Sequence, residues 1–195
     1  MRLSIVLALI LAFLTSCSES PEQKTTKNKP KVERQVIELS YIKDVKVTDI
    51  LNVINKHQLR VHEKNAPSEV KVSETLIMKQ NFFQDFYRKK DGNYECDISI
   101  SGLGDRLGSV SVVVRNFKQN RDKSKMERKF NNLVNSLPQK LFIATLKGPN
   151  WVESFSKNFK PSNMKGLFSE VLNGIEYRFF ILDSEITLDI AKEGN

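Results

Sequence analysis

The sequence predicts an α+β fold, a mainly antiparallel sheet with about three helices packed against it. Two observations carry this. Tyr94, Cys96, Ile98 and Ile100 alternate with Glu95, Asp97, Ser99 and Ser101, and Val110, Val112 and Val114 repeat the alternation after a glycine-rich turn. Period-two patterning of this kind means two half-buried antiparallel strands. Met126, Phe130, Leu133, Val134 and Leu137 instead recur at helical spacing, and Pro138 ends that stripe.

Taken from the start, the chain opens on Arg2 and an almost uninterrupted apolar run from Leu3 to Leu14, closed by Thr15, Ser16 and Cys17. A run of this length is too short to cross a hydrocarbon core, which needs about 20 residues. A short basic region, an apolar core and small residues after it are the parts of a secretory signal. Leu14-Thr15-Ser16-Cys17 resembles a bacterial lipobox, an aliphatic residue and two small ones before a cysteine. The resemblance covers residues 1–17 and implies a signal peptide over 1–16, cleavage before Cys17, diacylglyceryl on its sulfur and acylation of its new amine. One acyl chain anchors a protein only marginally, whereas two or three hold it on a membrane. Ser18 is not aspartate, which among Gram-negative lipoproteins implies the outer membrane, with the domain facing the periplasm. With a single membrane, the same anchor implies the cell surface.

Residues 18–34 hold one apolar side chain, Val32, two prolines and eight charges of mixed sign. No face of this segment can bury anything, so residues 17–34 read as a lipidated cysteine and a flexible tether of roughly 20–25 Å r.m.s. span. Residues 35–195 then suit one globular domain.

Within that domain, Val36–Ile42 reads as a strand. Thr48 reads as a helix N-cap, with Asp49 in the first turn and Ile50, Leu51 and Ile54 on the buried face, the helix ending near His57–Leu59. Glu69–Thr75 alternates as a strand. Phe82–Arg88 precedes the hairpin signal Asp91-Gly92 and reads as a third central strand, although its aromatic spacing also fits a helix. Leu141–Leu146 reads as a buried strand. Trp151, Val152, Phe155 and Phe159 give a short helix ended by Lys160-Pro161. Met164, Leu167, Phe168, Val171 and Leu172 fit a helix capped by Gly174 and a strand entering an Asn173-Gly174 hairpin equally well. Ile175–Leu182 and Ile186–Ile190 close the sheet.

The composition points to a binding role. Lys and Arg number 31 against 23 acids, a net charge of +8; without Arg2, 30 basic residues against 23 acidic give +7. On an exported protein, that charge points to anionic lipid, anionic glycan or an acidic envelope protein, with no nucleic acid expected. It concentrates in Arg115–Lys129, where Arg115, Lys118, Arg121, Lys123, Lys125, Arg128 and Lys129 face only Asp122 and Glu127. These seven form the candidate anion-facing patch, and Cys17 is the candidate lipidation site.

Catalytic signatures are weaker. Gly102–Gly108 carries three glycines beside Asp105, but they lead into a strand and lack the Lys-Ser or Lys-Thr of a phosphate loop. His57 and His62 straddle a helix end and have no zinc-ligand spacing to a cysteine or carboxylate. Cys96 has no partner once Cys17 is lipidated and reads as a buried apolar side chain. Glu95 and Asp97 share one strand face roughly 7 Å apart, a separation that suits an inverting glycosidase. The expectation is therefore a lipid-anchored envelope protein with a non-catalytic binding or assembly role, needing neither metal nor cofactor. An envelope enzyme acting on cell-wall or surface glycans is the alternative.

Overall fold

The structure is a computed structural model. It describes residues 33–194 apart from 38–39, 67–68, 72–75, 81, 118–121, 147 and 162–165. Cys17, the tether residues before 33, and Lys118 and Arg121 lie outside the described residues.

The described chain is an α+β fold dominated by sheet. Its elements run β1 (Glu33–Ile37), α1 (Val47–Lys56), β2 (Arg60–Asn65), β3 (Glu69–Lys71), β4 (Leu76–Gln80), β5 (Phe83–Asp91), β6 (Tyr94–Leu103), β7 (Arg106–Asn116), α2 (Lys123–Val134), α3 (Trp151–Asn158), β8 (Lys160–Pro161), β9 (Leu167–Leu172), β10 (Ile175–Ile181) and β11 (Glu185–Lys192). Eight strands form one sheet in the order β2-β5-β6-β7-β11-β10-β9-β8, and every neighbouring pair is antiparallel. The remaining three form a separate sheet, β1-β4-β3, whose β1–β4 pair is parallel.

The alternation in β6 and β7 becomes cross-strand rows. Ile98 pairs with Val112, which pairs with Leu188, which pairs with Phe179; Ile100, Val110, Ile190 and Tyr177 form the next row. All eight are buried. Onto this face α2 lays Met126, Phe130, Leu133 and Val134, and α1 contributes Val47, Ile50, Val53 and Ile54. Each such side chain contributes roughly 1.5–3 kcal/mol by leaving water. Helix α3 completes the layer with Trp151 and Phe155; Phe155 stands 4.9 Å from the Phe179 ring and 5.6 Å from Trp151.

Four local expectations change. The strand expected over Val36–Ile42 is β1 over Glu33–Ile37, and residues 40–42 are not strand. Helix α1 starts at Val47, with Lys46 at its cap position rather than Thr48. The Lys46 N–H donates to Asp49 Oδ2 at 3.0 Å, while a distant residue, Asp105, takes the next amides. Leu141–Leu146 is not a strand: Gln139–Leu141 is a 3-10 turn and the chain then runs irregularly to Leu146. Both leucines are buried, and the Leu141 carbonyl accepts from the Tyr177 hydroxyl at 2.7 Å instead of from a neighbouring strand. The open choice over the segment before Asn173 resolves as strand β9 for Leu167–Leu172. Asn173 (φ 55°) and Gly174 (φ 71°) make a two-residue turn whose left-handed geometry matches the twist of the flanking strands. The part of Glu69–Thr75 beyond Lys71, and Met164, lie outside the described residues.

Candidate functional site

The two faces of the large sheet differ in chemistry. On the face away from the helices, Glu95, Arg115 and Glu185 stand in one row, with Arg88 and Asp97 in the next. Arg88 Nε donates to Asp97 Oδ1 at 2.8 Å and its Nη2 to Oδ2 at 3.0 Å; Arg115 Nη1 donates to the same Oδ2 at 2.6 Å and its Nε to Glu185 Oε2 at 2.6 Å. Glu95 sits 3.3 Å from Arg88, 3.5 Å from Arg115 and 3.9 Å from Lys90. The two acids do share a face, but Glu95 is only 5% exposed, where a solvent-facing carboxylate was expected. Both Asp97 oxygens accept guanidinium N–H groups, and acid–base work on a glycoside needs an oxygen turned to the substrate. Burial opposes the Arg115 charge, and Glu185 and Asp97 more than offset it, so its pKa lies above the ordinary arginine value.

The second cluster lies on the helix-covered side, where the end of α1, the β5–β6 hairpin and α2 meet around a cavity of about 160 Å³. His57, Leu59, Lys89, Asp91, Cys96, Lys129, Asn132 and Leu133 line it. Lys89 is the cross-strand partner of Cys96, which puts both side chains on the inner face, and Asp91 partners Tyr94 at the hairpin end. Lys89 Nζ donates to the His57 carbonyl at 3.2 Å, and His57 Nε2 is 2.7 Å from Ser136 Oγ. Lys129 pairs with Asp91. Lys125 and Lys129, one helical turn apart, hold their ammonium groups 5.2 and 5.3 Å from the centre of the Tyr94 ring, within the range of a cation–π attraction.

The electrostatics of this cluster are set by its lysines. Burial, then Lys56 and Lys89, push the His57 pKa below its ordinary value of 6.5. Asp91 is pulled below the ordinary carboxylate value by its bond to Lys129, with Lys125 and Lys89 adding to the pull. Burial raises the Cys96 thiol, which Lys129 only partly opposes, so the sulfur stays protonated and is a poor nucleophile.

The structure divides the five described residues of the basic stretch. Arg115 is committed to Asp97 and Glu185 on the far face, whereas Lys125 and Lys129 stand over Tyr94 beside the cavity. Lys123 and Arg128 are exposed on α2. Phe117, at the end of β7, is 67% exposed. The stretch alone missed Lys89, Asp91, His57 and Asn132, which reach the cavity through tertiary packing. The one local signal was the four-residue spacing of Lys125 and Lys129, which places both on one helix face.

The glycine-rich connection between β6 and β7 leads into a strand rather than a helix N-terminus. Its Asp105 accepts the Val47 amide through its carbonyl at 3.0 Å and the Thr48 amide through Oδ1 at 2.9 Å, filling the N-terminus of α1 from within the chain. Gly102 is required there, because a Cβ at that position would overlap the Arg106 carbonyl. Among the described residues no three His, Cys, Asp or Glu side chains come together as a metal site, and no helix is long and apolar enough to cross a membrane. No family model, curated protein or solved structure matches the chain.

Proposed function

We propose that this chain is a bacterial envelope lipoprotein. An acylated Cys17 anchors it, residues 18–34 tether it, and the α+β domain binds an anionic partner without catalysis. The carrying observation is Leu14-Thr15-Ser16-Cys17 at the end of a twelve-residue apolar run, followed at once by polar sequence. The mature charge of +7, from 30 basic residues against 23 acidic, supports an anionic partner: lipid headgroup, glycan or acidic envelope protein. The domain's paired carboxylates add support for binding over hydrolysis, since guanidinium groups take both Asp97 oxygens. Ser18 favours the outer membrane, facing the periplasm, in an organism with two membranes.

Detergent phase partitioning of the full chain tests the anchor. The natural protein enters the detergent phase and Cys17→Ala moves to the aqueous phase; equal partitioning of the two overturns the reading.

A further inference from the structure

We infer that the cavity between α1, the β5–β6 hairpin and α2 is a binding site for a phosphate group, held by Lys89 and Lys129 with Lys125 at its rim and the Asn132 amide alongside. This deepens the anionic-partner reading above and rests on it.

The argument starts from charge. Two lysines and one carboxylate line the cavity. Lys125 adds a third ammonium over the Tyr94 ring that Lys129 shares. Three cations therefore face the single carboxylate of Asp91, and the neighbouring histidine is held towards its neutral form. The excess positive charge is built in: Lys89 is tied to the His57 carbonyl and Lys129 to Asp91 and the Tyr94 ring, so the ammonium groups are positioned in advance of any ligand.

Geometry narrows the ligand. The cavity, about 160 Å³, far exceeds the roughly 10–15 Å³ of probe-occupied space that one water needs, so a small anionic group fits between the lysines. No arginine lines the cavity, so any anion there is held by ammonium groups rather than by a guanidinium fork. Lysine ammoniums act as point charges with three donors each, which suits the oxygens of a tetrahedral phosphate approached from several sides. Asp91 already plays the anion's part at Lys129, and being 59% exposed in its side chain it is free to swing away when phosphate arrives. The phosphate group is shared by two sources, a soluble phosphoester and a phospholipid headgroup.

The test uses the full chain carrying Cys17→Ser, so that the anchor does not itself cause membrane association. Titration with inorganic phosphate, followed by the side-chain NMR signals of His57 and Asn132, is expected to show saturable shifts. Lys89→Gln and Lys129→Gln each weaken binding by about tenfold, roughly 1.4 kcal/mol. Lys123→Gln and Arg128→Gln leave it within about twofold, well under that tenfold step. Asp91→Asn, which removes the competing carboxylate, tightens binding, an outcome that misfolding cannot mimic. Acetate at the same concentration produces weaker shifts. Sedimentation with phosphatidylglycerol vesicles separates the sources: association lost in Lys89→Gln and Lys129→Gln identifies the lipid headgroup, and association unchanged by them identifies a soluble phosphoester. Absence of saturable phosphate shifts, or shifts indifferent to Lys89, Lys129 and Asp91, overturns the inference. If the chain then still binds anionic vesicles, a polyanionic glycan or an acidic protein in a salt-sensitive way, the broader anionic-partner reading survives; if it binds none of the three, both fail.

Discussion

The Asp105 carboxylate accepts the Thr48 amide at 2.9 Å, joining residues 57 apart in sequence. The turn between β6 and β7 thus caps the first turn of α1, and the Asp105 carbonyl holds the Val47 amide alongside. A cap drawn from another element ties the start of the helix to the hairpin, so neither settles without the other.

Replacing Asp105 by alanine is accordingly expected to destabilise the domain by about 0.5–2 kcal/mol, the range found when side-chain caps are removed. Thr48→Val, which keeps the amide and loses only the 3.4 Å contact from Thr48 Oγ1, costs much less. Urea unfolding of both variants checks the order; equal losses would remove the capping role from Asp105.

Tyr177→Phe removes the hydroxyl that donates to the buried Leu141 carbonyl at 2.7 Å. An unpaired buried acceptor costs about 1–3 kcal/mol, so a shift of the urea midpoint in that range is expected. Burial also raises the Tyr177 pKa to about 12. Ultraviolet titration of the difference between the natural chain and the variant is expected to show no tyrosinate from this residue at pH 10.

His57 provides a pH readout. It is faced by Lys56 from its own helix, by Lys89 from β5 and by Ser136 beyond α2. Its folded pKa lies below 6.5, so the unfolded chain binds the proton more readily. The group's contribution to stability is therefore fully present above pH 6.5 and is lost as pH falls below that value. An NMR titration of His57 is expected to give a midpoint below 6.5, moving upward in Lys89→Gln; a midpoint at or above 6.5 contradicts the environment described.

Arg115→Met tests the ion cluster. The substitution leaves the 5%-exposed Glu95 with Arg88 and Lys90 alone and strips one donor from Asp97 and one from Glu185. Breaking fully buried pairs costs several kcal/mol and exposed ones under 1, so for this part-exposed arginine a loss of about 1–3 kcal/mol is expected. Charge reversal at Lys123, by contrast, causes no loss and at most a gain of about 0.3–1 kcal/mol, because that exposed side chain opens α2, where the helix dipole favours an acid.

These sites show how far a single sequence reaches. β6 and β7 were legible because their core-facing residues are apolar and most of their other-face residues polar, which writes period two into residues 94–101 and 110–114. Helices α2 and α3 were legible for the same reason at period 3.6. Arg60–Asn65 was not, because all six residues of that strand are exposed and no apolar alternation marks it. Leu141–Leu146 misled because a short apolar run reads alike whether it forms a strand or plugs the edge of a core; only Tyr177, far along the chain, decides. The same holds for the cavity. Lys125 and Lys129 share a helix face by spacing, but nothing local to Lys89 announces that it meets His57.

The two outermost strands of the large sheet, β2 and β8, are poor templates for a further strand. On one side β2 is wholly exposed, carries Arg60, His62 and Lys64, and shifts register between Val61 and Glu63; on the other, β8 is two residues long and ends in proline. Charge, a bulge, brevity and proline all discourage a further strand from adding to a sheet. Acylated copies confined to a membrane plane would meet far more often than copies in solution. In the proposed anchored form, neither edge of the large sheet would offer a ready strand for a second copy to extend.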